Sequence, residues 1–270
     1  KGAKLTPLGE KLLWAEQRVV ARLEPQLKSL ASELNLEIKR SLEGVSPLLR
    51  MHASHGYAVE MLPEFAEDFQ LDLQFRSAEE ALAALNRGIC DVAGFHVPTE
   101  ILSEALIETY CRHLKPRVHR IIRFITRCQG LMVKADNPLQ INGLSDLQRD
   151  DVRFINRQKD SGTRALLDEL LRRGNLSPAD IRGYEDEEYT HSAVAAYVAS
   201  DMADVGFGVE AAARRFGLAF IPVTTEHYLM ICHHKALKQA AMQRLLATIG
   251  GAPFQQAVSQ LPGYSPDHCG

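Results

Sequence analysis

Residues 153–174 read RFINRQKDSGTRALLDELLRRG, a pattern that predicts a strand, a polar loop and a helix in that order. The strand is expected over 153–156 because Phe154 and Ile155 form a short apolar run. The helix is expected over 162–173, with Ser161 accepting from its first free amides and Gly174 at its end. A strand followed directly by a helix is the repeating unit of α/β proteins, so this stretch sets the fold class.

The same order of elements recurs on both sides of this stretch. The pattern predicts further strands at 48–53, 71–76, 90–94 and 203–207, and further helices at 56–69, 78–87 and 191–199. Displacing the sequence by 113 positions places Asp91-Val92 on Asp204-Val205, which indicates two similar halves. Extended crossings at 120–133 and 219–232 would connect the halves, and helices at 237–249 and about 253–261 would return to the first half. We therefore expect a two-lobed α/β fold with a ligand cleft between the lobes.

The composition is that of an ordinary folded protein. Of the 270 residues, 46% are hydrophobic and 24% are charged, which suits one large domain or two small ones. The formal net charge of -3 offers no basic surface for gripping nucleic-acid phosphates. The five cysteines are odd in number and widely spaced, which favours a reducing compartment. No apolar run reaches the ~18 residues of a membrane span, and residues 1–10 lack a signal-peptide core, so we expect a cytoplasmic location.

A long helix is predicted before the α/β region. Thr6 can cap this helix, Pro7 suits its first position and Gly44 is expected to end it. An apolar seam of coiled-coil type is formed by Leu23, Leu27, Leu30 and Leu34. Pro25 lies inside the segment and predicts a kink or a break. The helix is either a surface helix docked on its own domain or a linker helix between subunits.

The second interpretation divides the chain into a linker and dimerisation segment at 1–44 and a ligand-binding domain at 45–270. Within that domain we expect one lobe at about 45–125 and 230–270, and the other lobe at about 130–225.

Hydroxyl side chains stand where the helices are predicted to begin. These residues are Ser54, Ser77, Ser161, Thr163 and Thr190. Converging helix N-termini favour a bound anion, because their free amides and dipoles carry positive partial charge. Gly162 would permit close backbone approach, and Arg164 and Arg157 could neutralise an oxyanion. The alternative is that Ser161 and Thr190 are ordinary N-caps and Gly162 is a turn glycine.

Metal and catalytic sites are not indicated. His55, His96, His191 and the pair His233-His234 lack the spacing with a carboxylate that is typical of zinc sites. His96 could line the cleft or be a packed core histidine. The acidic stretch at 186–188 is typical of a solvated loop, and Cys128 of a buried thiol. We therefore expect no metal, no cofactor and no enzymatic activity.

Two parts of the chain resemble transcription regulators. Residues 3–13, AKLTPLGEKLL, resemble the end of a winged-helix domain and its exit into a linker helix in LysR-type and molybdate-responsive regulators. From residue 48 onward the chain resembles the type 2 periplasmic-binding-protein fold, in the branch of molybdate-binding-like domains attached to such regulators. The stretches that carry the resemblance are 53–55, 91–96, 127–131, 157–164, 203–208 and 261–264.

The resemblance implies a set of ligand-contacting residues. This set is Ser54, Ser77, Ser161, Gly162, Thr163 and Thr190, with Tyr228 as a further candidate. The complete candidate set adds His55, His96, Arg157 and Arg164. The sequence departs from the branch at Gly56, where an acidic residue is expected after the Ser-His pair, and at Arg76, where glycine is usual. These departures suit a small carboxylate as well as molybdate or tungstate.

The resemblance also implies a function. We expect the effector-binding domain of a regulator that senses a small oxyanion, most simply molybdate or tungstate. Such a protein would form homo-oligomers through the linker helix and would bind DNA only through a further N-terminal domain. The alternatives are a solute-binding protein of an anion transporter, a regulator that senses a small carboxylate such as formate, and an enzyme on the same fold.

Overall fold

The computed structural model describes residues 4–42, 46–99, 108 and 110–266. The predicted α/β class is confirmed. The chain divides into two compact units, of which unit 1 comprises Lys1–Glu24 and Cys128–Thr224. Unit 2 comprises Pro25–Arg127 and Thr225–Gly270.

The described helices and strands follow one another in α/β order. The strands are β1 (Leu48–Ala53), β2 (Gln70–Phe75), β3 (Val92–Pro98), β4 (His119–Val133), β5 (Phe154–Arg157), β6 (Glu187–Glu188), β7 (Val205–Val209), β8 (Ala219–His233) and β9 (Tyr264–Pro266). The helices are α1 (Pro7–Leu42), α2 (Tyr57–Met61), α3 (Ala78–Asn86), α4 (Gly162–Arg173), α5 (His191–Ala199), α6 (Glu210–Arg215), α7 (Ala240–Gly250) and α8 (Ala252–Ser259).

The strands of each unit form a mixed sheet. In unit 2, β1 lies between β2 and β3 and is parallel to both, while β3 is antiparallel to the second part of β8. In unit 1, β7 lies between the second part of β4, to which it is antiparallel, and β5, to which it is parallel. β6 pairs in parallel with β5. The carboxyl ends of β1 and β5 thereby carry the loops that begin at Ser54 and Gln158.

The helix α1 continues through Pro25, so of the two predicted outcomes, a kink or a break, the break is wrong. Proline removes only one backbone donor, and α1 is held on both sides of it: the Ala21 carbonyl accepts from Thr190 and the Ser29 hydroxyl from Phe75 N. The predicted cap is confirmed, since Thr6 Oγ1 accepts from Gly9 N at 3.1 Å. Gly44, the expected helix end, lies outside the described residues.

The helix predicted over 56–69 is shorter than expected. α2 ends at Met61 and a single 3₁₀ segment, Leu62–Phe65, follows it. Pro63 lacks a backbone N–H, so the α-helical bond pattern cannot continue through it unchanged.

The second part of α1 covers the outer edge of β2. Ser29 Oγ accepts from Phe75 N at 3.0 Å, and Ser32 Oγ accepts from Leu73 N at 3.0 Å. Because β2 pairs with β1 only on its other side, these hydroxyls satisfy strand amides that would otherwise lack a protein partner.

Each unit has an apolar core between its sheet and its helices. Unit 1 buries side chains of α4 and its strands, including Leu131, Phe154, Leu166, Leu171 and Phe207. Unit 2 buries side chains of α3, β3 and β8, including Leu82, Ala93, Phe95 and Ile231. None of the described helices combines the length and the apolar character that a membrane span requires.

The similarity of the two halves extends to one polar contact. In unit 2, Arg50 N and Nε donate to Asp91 Oδ2 at 2.9 and 3.1 Å, and Nη2 donates to Oδ1 at 2.9 Å. In unit 1, Arg153 N and Nε donate to Asp204 Oδ2 at 2.8 and 2.9 Å, and Nη2 donates to Oδ1 at 2.8 Å. The aligned aspartates therefore anchor equivalent strands in the two units.

We expect Asp91→Asn and Asp204→Asn each to lower the free energy of unfolding by about 1–2 kcal/mol, because each removes the charge from a three-bond contact. Urea unfolding of the full chain measures the change. The exposed Asp150 provides a control, and Asp150→Asn should stay within about 0.5 kcal/mol of the wild type. Equal stability of all three variants would contradict the anchoring role.

Candidate functional site

The first turn of α4 presents neutral hydrogen-bond donors. Ser161 caps the helix by accepting from Arg164 N at 3.1 Å. Ser161 is half-buried and Gly162 is exposed, and the first amides of a helix have no acceptor within it. Among the described residues, the Ser161 hydroxyl hydrogen has no acceptor. The loop therefore offers a hydroxyl and backbone amides at the positive end of a 12-residue helix.

The guanidinium groups of the two arginines predicted to hold an anion donate hydrogen bonds to the loop and to neighbouring segments. Arg164 is buried, donates from Nε to Asp168 at 3.2 Å and from Nη1 to the Arg157 carbonyl at 3.3 Å, and stacks on Tyr184. Arg157 donates from Nη2 to the Tyr189 carbonyl at 3.0 Å. Both guanidinium groups thus fix the shape of the loop in this structure.

The other hydroxyl of the α4 first turn lies deeper. Thr163 is buried, and its Oγ1 accepts from Gln129 Nε2 at 3.4 Å. Gln129 stands on β4 and was not predicted as a site residue.

The Thr190 hydroxyl both accepts and donates a hydrogen bond. Its Oγ1 caps α5 by accepting from Ala193 N at 2.9 Å and donates to the Ala21 carbonyl of α1 at 2.9 Å. The side chain is buried. The single hydroxyl proton of Thr190 is therefore directed at α1.

In unit 2, four predicted residues lie together around the end of β1. Tyr228 donates its hydroxyl to the Ser54 carbonyl at 2.9 Å, and His96 packs edge-on against Tyr228 with ring centroids 4.2 Å apart. His55 Nε2 lies 3.1 Å from Glu60 Oε2. Among the described residues, the half-buried Ser54 has no acceptor for its hydroxyl hydrogen.

Tyr228 fits closely against β3. A Cβ atom at Gly94 would lie 2.6 Å from the Tyr228 hydroxyl oxygen, so glycine is required at this position. Burial raises the pKa of Tyr228, which keeps the phenol protonated as a donor to the Ser54 carbonyl.

Ser77 begins α3 as part of a capping box. Its Oγ accepts from Glu80 N at 3.2 Å, and Glu80 Oε2 accepts from Ser77 N at 3.0 Å. A carboxylate thus occupies the start of α3, which makes this helix end less favourable for an anion than the start of α4.

A buried ion pair that the sequence did not predict lies next to the Ser54–Gly56 loop. Arg127 Nε donates to Glu226 Oε1 at 2.5 Å, and both side chains are 2% exposed. A Cβ at Gly56 would lie 3.4 Å from Arg127 Nη1. Burial alone would lower the pKa of Arg127, but Glu226 and Tyr264 more than offset this, so its pKa is raised. The feature of the sequence that could have identified this ion pair is an arginine on the buried face of β4.

No group of three or more His, Cys, Asp or Glu side chains within the described ranges is arranged to hold a metal ion.

We expect Glu226→Gln to lower the free energy of unfolding by about 3 kcal/mol, because it leaves a buried guanidinium without its counter-charge. Glu210→Gln, which affects the exposed Glu210–Arg214 pair, should cost about 1 kcal/mol or less. The double change Arg127→Met with Glu226→Leu should recover most of the loss, as denaturant unfolding would show. If Glu226→Gln lowered the free energy of unfolding no more than Glu210→Gln, the result would contradict this account.

Comparisons with known proteins place the fold in a family. Residues 60–250 match the model of the PBP superfamily domain. The uncharacterized protein YvgK of Bacillus subtilis (strain 168) is 31% identical over 191 residues, which cover 71% of this chain and 61% of YvgK. The chain thus matches less than two thirds of the length of that relative.

Solved structures share the fold at low sequence identity. The tungstate binding protein TupA from Desulfovibrio alaskensis G20 superposes with a TM-score of 0.58 at 14% identity, over 82% of this chain and 99% of TupA. A cysteine-to-serine mutant of OxyR from Corynebacterium glutamicum, with hydrogen peroxide bound, gives a TM-score of 0.57 at 18% identity, over 96% of this chain and 79% of OxyR. With the family model covering more than half of its residues, the chain belongs to the PBP superfamily.

Proposed function

We propose that the chain is the effector-binding part of a transcription regulator and that it binds a small oxyanion, molybdate or tungstate. One observation carries the proposal: within the described residues, the hydroxyl hydrogens of Ser54 and Ser161 have no acceptor. Each hydroxyl lies in the loop that joins a strand to the next helix, after β1 for Ser54 and after β5 for Ser161. Ligands of α/β sheets bind at such strand ends.

The chemistry of these loops suits an oxyanion. Hydroxyl and amide groups donate hydrogen bonds to several oxygens at once without bringing a charge of their own. The guanidinium groups of Arg157 and Arg164 already donate to protein carbonyls. Arg127 donates from Nε to Glu226, while its buried Nη1 has no acceptor among the described residues. Discrimination would then depend on the size and geometry of the anion. Tungstate binding by TupA, which shares the fold, supports this choice.

The helix α1 favours a regulator over a transport protein. The match to OxyR covers 96% of the chain and so includes most of α1, whereas the match to TupA covers 82%. The proposed regulator acts in the cytoplasm as a homo-oligomer and contacts DNA through a further N-terminal domain. A solute-binding protein of an anion transporter is the second candidate, and the fold of TupA favours it.

The identity of the anion is tested by calorimetry of the full chain against molybdate, tungstate, sulfate, phosphate and formate. We expect binding of molybdate and tungstate and little heat with the smaller oxyanions. Preferential binding of formate would establish the carboxylate alternative. The absence of a heat of binding with all five anions would contradict the oxyanion proposal.

Ser54→Ala and Ser161→Gly should each raise the Kd for molybdate about tenfold, because each removes one donor to a charged ligand. Glycine at 161 is chosen because it keeps most of the capping preference that alanine would lose. The control is Ser259→Ala, in which an exposed hydroxyl bonded to the Gln255 carbonyl is removed from α8. An unchanged Kd in the Ser54→Ala, Ser161→Gly double variant would rule out this placement of the ligand.

The exposed seam of α1 is the proposed contact between subunits. In the part of α1 that belongs to unit 2, the side chains of Leu27, Leu30, Leu34 and Ile38 are 58%, 62%, 62% and 47% exposed. Their spacing of three and four residues matches the packing positions of a helix pair.

We expect Leu27→Glu with Leu34→Glu to convert a dimer into a monomer, as measured by light scattering over a range of concentrations. Burying two carboxylates in an apolar helix pair is strongly unfavourable. Glu33→Gln, at an exposed polar position of the same helix, should leave the dimer intact. A dimer that survives the two leucine changes would exclude this seam as the interface.

A further inference from the structure

We infer that α1 is linked to each of the two loops proposed to bind an anion through one acidic residue: Glu188 in unit 1 and Glu60 in unit 2. The inference rests on the proposed function and adds a route by which the bound anion acts on α1. Arg22 and Lys28 are the positioning residues on the helix.

In unit 1, the contact of α1 is a bidentate ion pair. Arg22 donates from Nε to Glu188 Oε2 at 2.6 Å and from Nη2 to Oε1 at 2.5 Å. The Glu188 side chain is fully buried, whereas that of Arg22 is 46% exposed. A buried carboxylate is costly unless a cation compensates it, so α1 supplies the charge that residue 188 needs.

Residues 188–190 are bonded to the predicted anion loop on their other side. The Glu188 carbonyl accepts from Gln158 N at 3.1 Å, and the Tyr189 carbonyl accepts from Arg157 Nη2 at 3.0 Å. Gln158 in turn accepts from Ser161 N at 3.0 Å through its carbonyl. A displacement of Ser161 is thus passed through two hydrogen bonds to the segment that holds Arg22.

Thr190 adds a second bond between the same segment and α1. Its hydroxyl donates to the Ala21 carbonyl at 2.9 Å while it caps α5. Two consecutive helix residues, Ala21 and Arg22, therefore hold residues 188 and 190.

Unit 2 contains a shorter link of the same kind. Lys28 of α1 forms an ion pair with Glu60, and Glu60 also lies 3.1 Å from His55 Nε2. His55 directly follows Ser54 in the predicted anion loop. In unit 2, the carboxylate itself stands between a cation of α1 and a residue of the loop, whereas in unit 1 the Glu188 carboxylate contacts Arg22 and its backbone carbonyl contacts Gln158.

The expected coupling has a definite sign. With Arg22 in place, the Glu188 carboxylate is neutralised; without Arg22, an uncompensated negative charge remains beside the anion loop and opposes anion binding. Anion binding should therefore strengthen the contact of α1 by the same factor by which that contact strengthens anion binding.

The test compares two ion pairs that α1 forms within unit 1. Arg22→Gln breaks the pair with Glu188. Arg215→Gln breaks the pair of α1 with α6, in which Arg215 Nη1 lies 3.3 Å from Glu24 Oε2. Calorimetry of each full-chain variant with molybdate gives the Kd. Amide hydrogen exchange at residues 18–24, measured with and without molybdate, reports how firmly this part of α1 is bound to the rest of unit 1.

We expect Arg22→Gln to raise the Kd about fivefold or more and to abolish the molybdate-dependent protection of residues 18–24. Arg215→Gln should change the Kd less than twofold and keep that protection. Arg22→Lys should restore part of both effects, because it retains the positive charge. Lys28→Gln should weaken binding as Arg22→Gln does. Ser29→Ala should not, because the bond of α1 to β2 that it removes involves neither Glu60 nor the Ser54 loop.

The outcomes separate the two proposals. If the wild type binds molybdate and Arg22→Gln behaves like Arg215→Gln, the inference is wrong while the proposed function stands. If the wild type binds none of the anions, the proposed function fails and the inference fails with it. Thermal unfolding followed by circular dichroism confirms that each variant is folded before its Kd is compared.

Discussion

A serine or threonine at the start of a helix accepts one hydrogen bond from that helix and keeps one proton to donate. Much of this structure follows from how that proton is used. Thr190 directs it at the carbonyl of Ala21 and so ties α5 to α1. Ser161 caps α4 in the same way but keeps its proton available. Two caps that look equivalent in the sequence therefore have different roles, one structural and one suited to a ligand.

The arginines of the loops are held in place by acceptors of the protein itself. Arg157 and Arg164 bond to backbone carbonyls of their own loop and its neighbour, and Arg127 pairs with Glu226. Arg127–Glu226 and Arg164–Asp168 are ion pairs that add little net charge, whereas the carbonyl bonded to Arg157 leaves the positive charge of its guanidinium in place. In the proposed function, the neutral donors of Ser54 and Ser161 then distinguish ligands by the positions of their oxygens.

The sequence was sufficient to predict those elements whose signals lie within one short stretch of the chain. The bounds of α4 and its Ser161 cap follow from the hydroxyl, the leucine spacing and Gly174, all within 14 residues. The loops at Ser54 and Ser161 were predicted for the same reason. Contacts between distant residues were not predicted: Arg127 and Glu226 are 99 positions apart, and Arg22 and Glu188 are 166 apart. No pattern within one element identifies such partners, and tertiary contacts also explain why α1 continues through Pro25.

The serine hydroxyls that α1 places along β2 have a consequence for how the protein can be divided. A strand edge with unsatisfied amides is a template on which another chain can add a strand. A fragment cut between residues 44 and 45 would lose Ser29 and Ser32 and present β2 as such an edge. Protection of the β2 edge from an added strand is in this sense supplied by α1, and a fragment that keeps this edge covered should begin before the helix.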